Sequence, residues 1–459
     1  MIKKFILIIT VLLLPLGSLV LPESNLFAQD AQNTAVIENQ RRINTLRFGT
    51  ETEIATLIQT LRSENDASMD DALLELVETS RNRNILNGIL SFFGEREKKG
   101  LEDRAIRIIE ERDFEADDTV LSAIDYLGRV NASTAAKVLE ELIDAGENRF
   151  LNNAIRAFGR AGKENEESDN IAQFLLDYYF DGNPNNENQR EIIIALGETG
   201  SALGLSFLSD IVNDPDERTV LKMAALEALS KIGNPRGLDA VIAAVSDSDP
   251  NVRSSAIAAL GPFSNEEADR AILEGFRDSF FRSRLGAAQA AGRRKLEAAV
   301  PFLQFRAEND EVPAVRDEAI RALGAIWNTE AAVILEDLFF QRSNSDRVRI
   351  LAGEMLILNA SEQFTSRIIS ELDESRARSQ TALYNGILGT LGPAKSPDLE
   401  DLARRFFNSG TVIEKTLALD ITGNNNFLSL EEEIRSLLNE SNPTLVRRAQ
   451  STLLRMGLD

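Results

Sequence analysis

The chain of 459 residues contains no cysteine and no histidine. Without cysteine there is no disulfide in any compartment, so stability has to come from packing. The lipidated-cysteine route to a membrane is closed for the same reason. Without histidine there is no Ser-His-Asp triad, no Cys-His dyad and no histidine-ligated metal site. Neither a Walker loop nor a strand-linked Gly-x-Gly-x-x-Gly is present to cradle phosphate. After the N-terminal segment, no stretch reaches the roughly 18 uninterrupted apolar residues of a spanning helix. Positive charge is scarce: 50 Lys and Arg face 73 Asp and Glu, a net charge of −23. Such acidity opposes binding to phosphate backbones and to anionic lipid. It favours solubility and basic or neutral partners.

What the chain does have is a repeat. Asp249-Pro250-Asn251-Val252-Arg253 reads as a turn leading into a helix, and Val252, Ala256 and Leu260 share a face of it. With Gly261 as anchor, equivalent positions are Ser91, Gly128, Gly159, Gly197, Ser230, Gly292, Gly324, Ile357, Gly389, Thr422 and Arg455. From Gly197 onward they are 31 to 33 residues apart. A fixed period of this size marks stacked supersecondary units. One residue before the anchor is nearly always Leu, Ile or Phe, as in Leu127, Phe158, Leu196 and Leu229. Five before is Ala in Ala123, Ala154, Ala225, Ala256, Ala287, Ala319 and Ala352. Large residues and alanine on one face suit a helix packed closely among several others. Between these helices lies a second one per unit, such as 237–245, 268–276, 329–340 and 397–407.

Helix, short turn, alanine-rich helix and short turn resemble the HEAT repeat. The likeness is strongest to the short HEAT-like repeats of the phycobilisome-lyase type. It rests on Asp249-Pro250-x-x-Val252-Arg253, on Val315-Arg316, Val348-Arg349 and Val446-Arg447, and on Ala-Leu-Gly at 195–197, 259–261 and 322–324. It implies an all-α fold, an armadillo-like alpha-alpha superhelix of about twelve helix-pair repeats. It implies no activity, because the motif is structural. The iron site of the HEAT-repeat hydroxylases needs histidine, which this chain lacks.

Around the array, Lys3-Lys4, the apolar run 5–14 and Leu26-Phe27-Ala28 make a secretory signal peptide over residues 1–28. Residues 29–34 are polar and read as a disordered linker, 35–80 as an N-terminal helical cap and 81–459 as the repeat array. The expected location is therefore periplasmic or otherwise extracytoplasmic.

Two sets of positions are candidates for specific roles. Eight before the anchor stand Arg83, Lys222, Arg253, Arg284, Arg316, Arg349 and Arg447, a recurring cation that predicts a structural ladder with turn acids such as Asp249, Asp310 or Asp346. Three and six before the anchor, the residues vary and are polar: Asp125, Arg156, Glu191, Glu227, Gln289, Glu318, Arg321 and Glu354. In HEAT-like stacks the second helices line the concave surface, so this stripe is the expected partner-binding groove. With packed helices roughly 10 Å apart, about twelve units give an arc well over 80 Å long. That length suits a protein or extended peptide.

The remaining motifs carry bland readings. The aromatic runs Tyr178-Tyr179-Phe180, Phe280-Phe281, Phe339-Phe340 and Phe406-Phe407 read as core filling. The loop 181–188 alternates Asp and Asn like a calcium loop, but Asn186 and Ile192 stand where glycine and glutamate belong. No cofactor, metal or catalytic residue is expected. The expected function is a non-enzymatic protein-binding scaffold. The alternatives are a lyase-like or other carboxylate-based enzyme, and a self-associating structural component of the cell envelope.

Overall fold

The computed structural model describes residues 38–163 and 166–458. The signal segment and linker expected at 1–34, the start of the cap and Asp459 lie outside them. The described residues are helical throughout, without a strand, and form thirteen consecutive helix pairs. Pairing begins already at 38–48 and Glu51–Glu64, inside the segment expected as the cap. The last pair is Glu431–Ser436 and Pro443–Met456.

Helix Pro250–Ala259 shows why each unit folds as it does. Pro250 occupies the first turn, where its missing N–H costs nothing. The Asp249 side chain accepts from the Asn251 N–H at 2.8 Å and so caps the helix. Val252, Ala256 and Leu260 are fully buried, which removes each from water and holds the helix against its neighbours. The core is one continuous cluster from Leu46 to Leu453, as expected when each unit can bury its apolar face only against the next.

The two layers are packed differently. Successive second helices come close enough for backbone contact. A Cβ on Gly159 would lie 2.6 Å from the Ala195 carbonyl oxygen, and one on Gly197 would lie 2.6 Å from the Ala228 Cα. These anchor glycines sit inside their helices, and their absent side chains set the spacing. The Ala-Leu-Gly motif at 195–197 is therefore a contact motif; the left-handed cap of that helix is Gly200, at φ +71°. Successive first helices touch each other far less. Closer spacing in one layer than in the other bends the stack, with the second helices on the inside.

One irregularity falls at Ala360, whose φ of −146° and ψ of 56° join a second helix and the following first helix into the single segment Asp346–Ala377. The next unit holds this junction in place. The Ser361 hydroxyl donates to the Lys395 carbonyl and accepts from the Lys395 N–H, both at 2.8 Å.

Candidate functional site

The recurring cations form a ladder, but not with all the acids expected. Lys222 lies 3.1 Å from Asp247, Arg253 2.9 Å from Asp278, and Arg284 2.7 Å from Asp310. Each reaches forward to the turn of the following unit. Arg253 also donates back to the Asp247 and Ser248 carbonyls of its own turn, and Arg284 does the same with Asp278 and Ser279. The aspartates meanwhile accept from the N–H two residues on, as Asp278 does from Phe280 and Asp310 from Val312. Each rung thus ties two units and a helix start together with charge-assisted bonds. Burial opposes ionisation of Asp278 and Asp310. The bonds from Arg253 and Arg284 and from backbone N–H groups outweigh it and hold both carboxyls below the ordinary aspartate range.

Asp249 and Asp346 are not rungs. Asp249 accepts from the Thr219 hydroxyl at 2.6 Å and caps its own helix, so Asp247 takes its expected place. Asp346 opens its helix after the Ser345 cap and joins no ion pair among the described residues. Arg349 turns to Glu371 on the following first helix, at 2.6 Å. Arg316 bonds the carbonyl of Asp310, while Arg83 pairs with Asp118 at the surface and Arg447 is exposed.

On the inner layer, Asp125, Arg156, Glu227, Arg321 and Glu354 are exposed, and Gln289 and Glu318 are partly so. Glu191 departs from the expectation. It is 2% exposed, held between Arg156 at 2.6 Å and Arg190 at 2.8 Å. Ser255 and Glu318, at the same place in their own units, are only half-buried. The stripe is also stapled to itself. Lys231 bonds both Glu198 and Glu227 at 2.9 Å, and Arg129 bonds Asp125 at 2.7 Å. Burial works against the Lys231 ammonium, but its bonds to Glu227 and Glu198 prevail and raise its pKa.

Sequence reasoning missed the cleft that interrupts this stripe. It has a volume of about 460 Å³ and lies over helices Asn186–Thr199, Thr219–Ile232 and Pro250–Ala259. Val220 and Met223 line it, 45% and 36% exposed. Ser255 and Ala258 face them, and Arg190, Glu227 and Lys231 stand around it. At the cleft the stripe positions of the third helix hold small residues, Ser255 and Ala258, opposite Val220 and Met223. Small residues recur at these positions in other units, such as Ser122, Gly286 and Gly386, so the repeat columns alone did not single the cleft out.

Elsewhere, the described residues include six buried carboxylates: Asp70, Glu191, Asp310, Asp317, Glu371 and Glu414. Each is held by a cation: Arg96 and Lys98, Arg156 and Arg190, Arg284, Arg347, Arg349 and Arg376 respectively. The aromatic runs divide. Phe339, Phe406 and Phe407 are core, whereas Phe180 stands 67% exposed against Tyr179 and Phe207. Asn185, in the loop considered for calcium, caps helix Asn186–Thr199 by accepting from Glu187 and Asn188. Trp327 is half-buried at a helix end with φ +45°.

Comparison with known proteins agrees with the repeat. A family model described as spirochaete HEAT repeat protein matches residues 46–452. A deoxyhypusine hydroxylase of Schizosaccharomyces pombe is 37% identical over 94 residues, 20% of this chain and 28% of that protein. Among solved structures, a mutant of the karyopherin Kap121p aligns over 94% of this chain at 13% identity with a TM-score of 0.45. The chain spans about half of that karyopherin's length, 54%. Importin beta aligns over 95% of this chain and 72% of its own, at 13% identity and a TM-score of 0.40. Likenesses of that order carry no argument about function. The family match covers most of the chain, and the chain belongs to the spirochaete HEAT repeat family.

Proposed function

We propose that this member of the spirochaete HEAT repeat family is a non-enzymatic scaffold that holds a protein or extended peptide on its inner layer. The observation that carries the reading is that Val220 and Met223 stand exposed side by side in the cleft; Leu358, Val412, Ile413 and Leu454 are the other large apolar residues that second helices expose among the described residues. Two adjacent apolar side chains in a concave, polar-rimmed cleft offer an anchoring point for one apolar side chain of a partner. Methionine adapts its shape to a partner. The three ladder rungs at Lys222, Arg253 and Arg284 and the glycine contacts beneath hold the surface rigid, which lowers the entropy lost on binding. A carboxylate-based activity finds no support among the described residues, where every buried carboxylate faces a cation. The N-terminal pattern of residues 1–28 supports an extracytoplasmic location.

The test is a photo-crosslinking residue at position 223 in the protein's native host, with one at outer-layer position 141 for comparison. A defined partner captured only from 223, and lost in Val220→Asp/Met223→Asp at unchanged melting temperature, is the expected result. Charge reversal at Glu227, Arg321 and Glu354 should reduce the same capture. Capture that is equal from both positions, or indifferent to these variants, removes the groove assignment.

A further inference from the structure

The whole-chain charge of −23 is not shared by the two layers. The thirteen second helices carry 21 Lys and Arg against 17 Asp and Glu, a net +4. The thirteen first helices carry 13 against 33, a net −20. A partner on the inner layer therefore does not meet the acidic surface that composition alone suggests.

The three helices under the cleft, Asn186–Thr199, Thr219–Ile232 and Pro250–Ala259, balance four cations against four acids, and the positive excess lies on the next second helix, Phe281–Arg294, with four cations and no acid. Helices Thr219–Ile232, Pro250–Ala259 and Phe281–Arg294 together hold seven cations and one acid, Glu227. Four of the cations are neutralised by acids outside these helices: Lys222, Arg253 and Arg284 by the ladder, and Arg294 by Asp269 at 2.5 Å. Lys231 is matched by Glu198 and Glu227. Arg282 and Arg293 have no carboxylate partner among the described residues. Arg293 donates only to the carbonyl of Ala258, itself part of the cleft lining, at 3.4 Å. Arg282 lies over the Phe280 and Phe281 rings and reaches Asn251 at 3.5 Å.

We propose that the occupant of the cleft is an extended acidic peptide segment, with one large apolar side chain seated against Val220 and Met223 and its carboxylates facing Arg293 and Arg282. This rests on the reading of the inner layer as a protein-binding groove. Two guanidinium groups without carboxylate partners on the helix next to the cleft, Arg293 touching its lining at Ala258 and Arg282 reaching Asn251 on the same neighbouring helix, fit a ligand that brings both an anchor and carboxylates. The acids of the outer layer lie on the far side of the inner helices. At physiological salt the screening length is about 8 Å, so they act weakly across that thickness on a short segment. A long polyanion would extend beyond the patch and meet them. Exposed Val220 and Met223 also offer nothing specific to a phosphate backbone.

The test is selection of random displayed peptides on the immobilised chain, followed by titration of a synthetic copy of the most enriched peptide. Enriched sequences should combine Asp or Glu with a large apolar residue. Their affinity should fall at least about tenfold in Arg282→Glu/Arg293→Glu and weaken as salt is raised. Both arginines are exposed or nearly so, and an unchanged melting temperature checks that the variant is folded. Enriched peptides that are basic or neutral, or indifferent to the arginine variant, would overturn the acidic occupant. If they still required Val220 and Met223, the groove reading would stand without it. Failure to enrich any peptide that depends on Val220 and Met223 would remove both. Tight binding of a thymidine oligonucleotide that vanished in the arginine variant would overturn the peptide in favour of nucleic acid.

Discussion

The inner and outer layers are built from the same chain and the same period, yet they differ in spacing, charge and tolerance. Second helices meet through glycine and alanine, with Gly159 on Ala195 and Gly197 on Ala228 at backbone contact. First helices meet their successors sparsely and carry 33 acids against 17 on the second helices. A layer packed at backbone distance cannot vary its buried face, so variation moves to its outward stripe. A loosely packed layer tolerates charge almost anywhere, and acidic charge there keeps the solenoid soluble. Binding and solubility are thus assigned to opposite faces.

The comparison breaks hardest where the ladder ties the units together. Arg284→Met leaves Asp310, whose side chain is fully buried, without its main partner. It should cost about 3–5 kcal/mol in denaturant unfolding, whereas Lys137→Met on an exposed outer helix should stay within about 0.5 kcal/mol. Equal losses would erase the distinction. Gly197→Val comes next. It forces two second helices apart and should cost about 1–3 kcal/mol, with a change in curvature readable by small-angle scattering. An unchanged scattering profile would show that glycine does not set the spacing.

Acid gives a third contrast. Asp278 and Asp310 have pKa values depressed in the fold. Their contribution is present above the unfolded aspartate value of about 3.9 and is lost as pH falls through the depressed folded values. The ladder should therefore hold at pH 5 and loosen below about pH 4. In an Asp278→Asn/Asp310→Asn variant the acid-induced loss of melting temperature should shrink; an identical acid profile would assign it to other carboxylates. The smallest effect belongs to the outer face. Glu140→Lys/Glu141→Lys should change stability by less than about 0.5 kcal/mol and leave partner capture intact, while Val220→Asp/Met223→Asp abolishes capture.

Much of this organisation is legible in the residues themselves. Ala256 and Leu260 recur at one phase, and Arg253, Arg284 and Arg349 recur at another. Their partners are not legible in the same way. Asp247 and Asp249 flank one turn, and only the folded turn shows that Asp249 is engaged by its own helix start while Asp247 faces Lys222. Glu191 shares the polar stripe in sequence, but in the fold it is buried between two arginines. The cleft was hidden for a related reason. A hollow is made by what neighbouring helices lack, and Ser255 and Ala258 acquire meaning only beside Val220 and Met223.

By itself the sequence determined the all-α solenoid, its period and the rows that hold it together, because each unit buries its apolar face only against copies of the same pattern. The tertiary structure decided which acid meets which cation and which polar residue stays in water. Those outcomes depend on distances between units, and a repeat period contains no such distances.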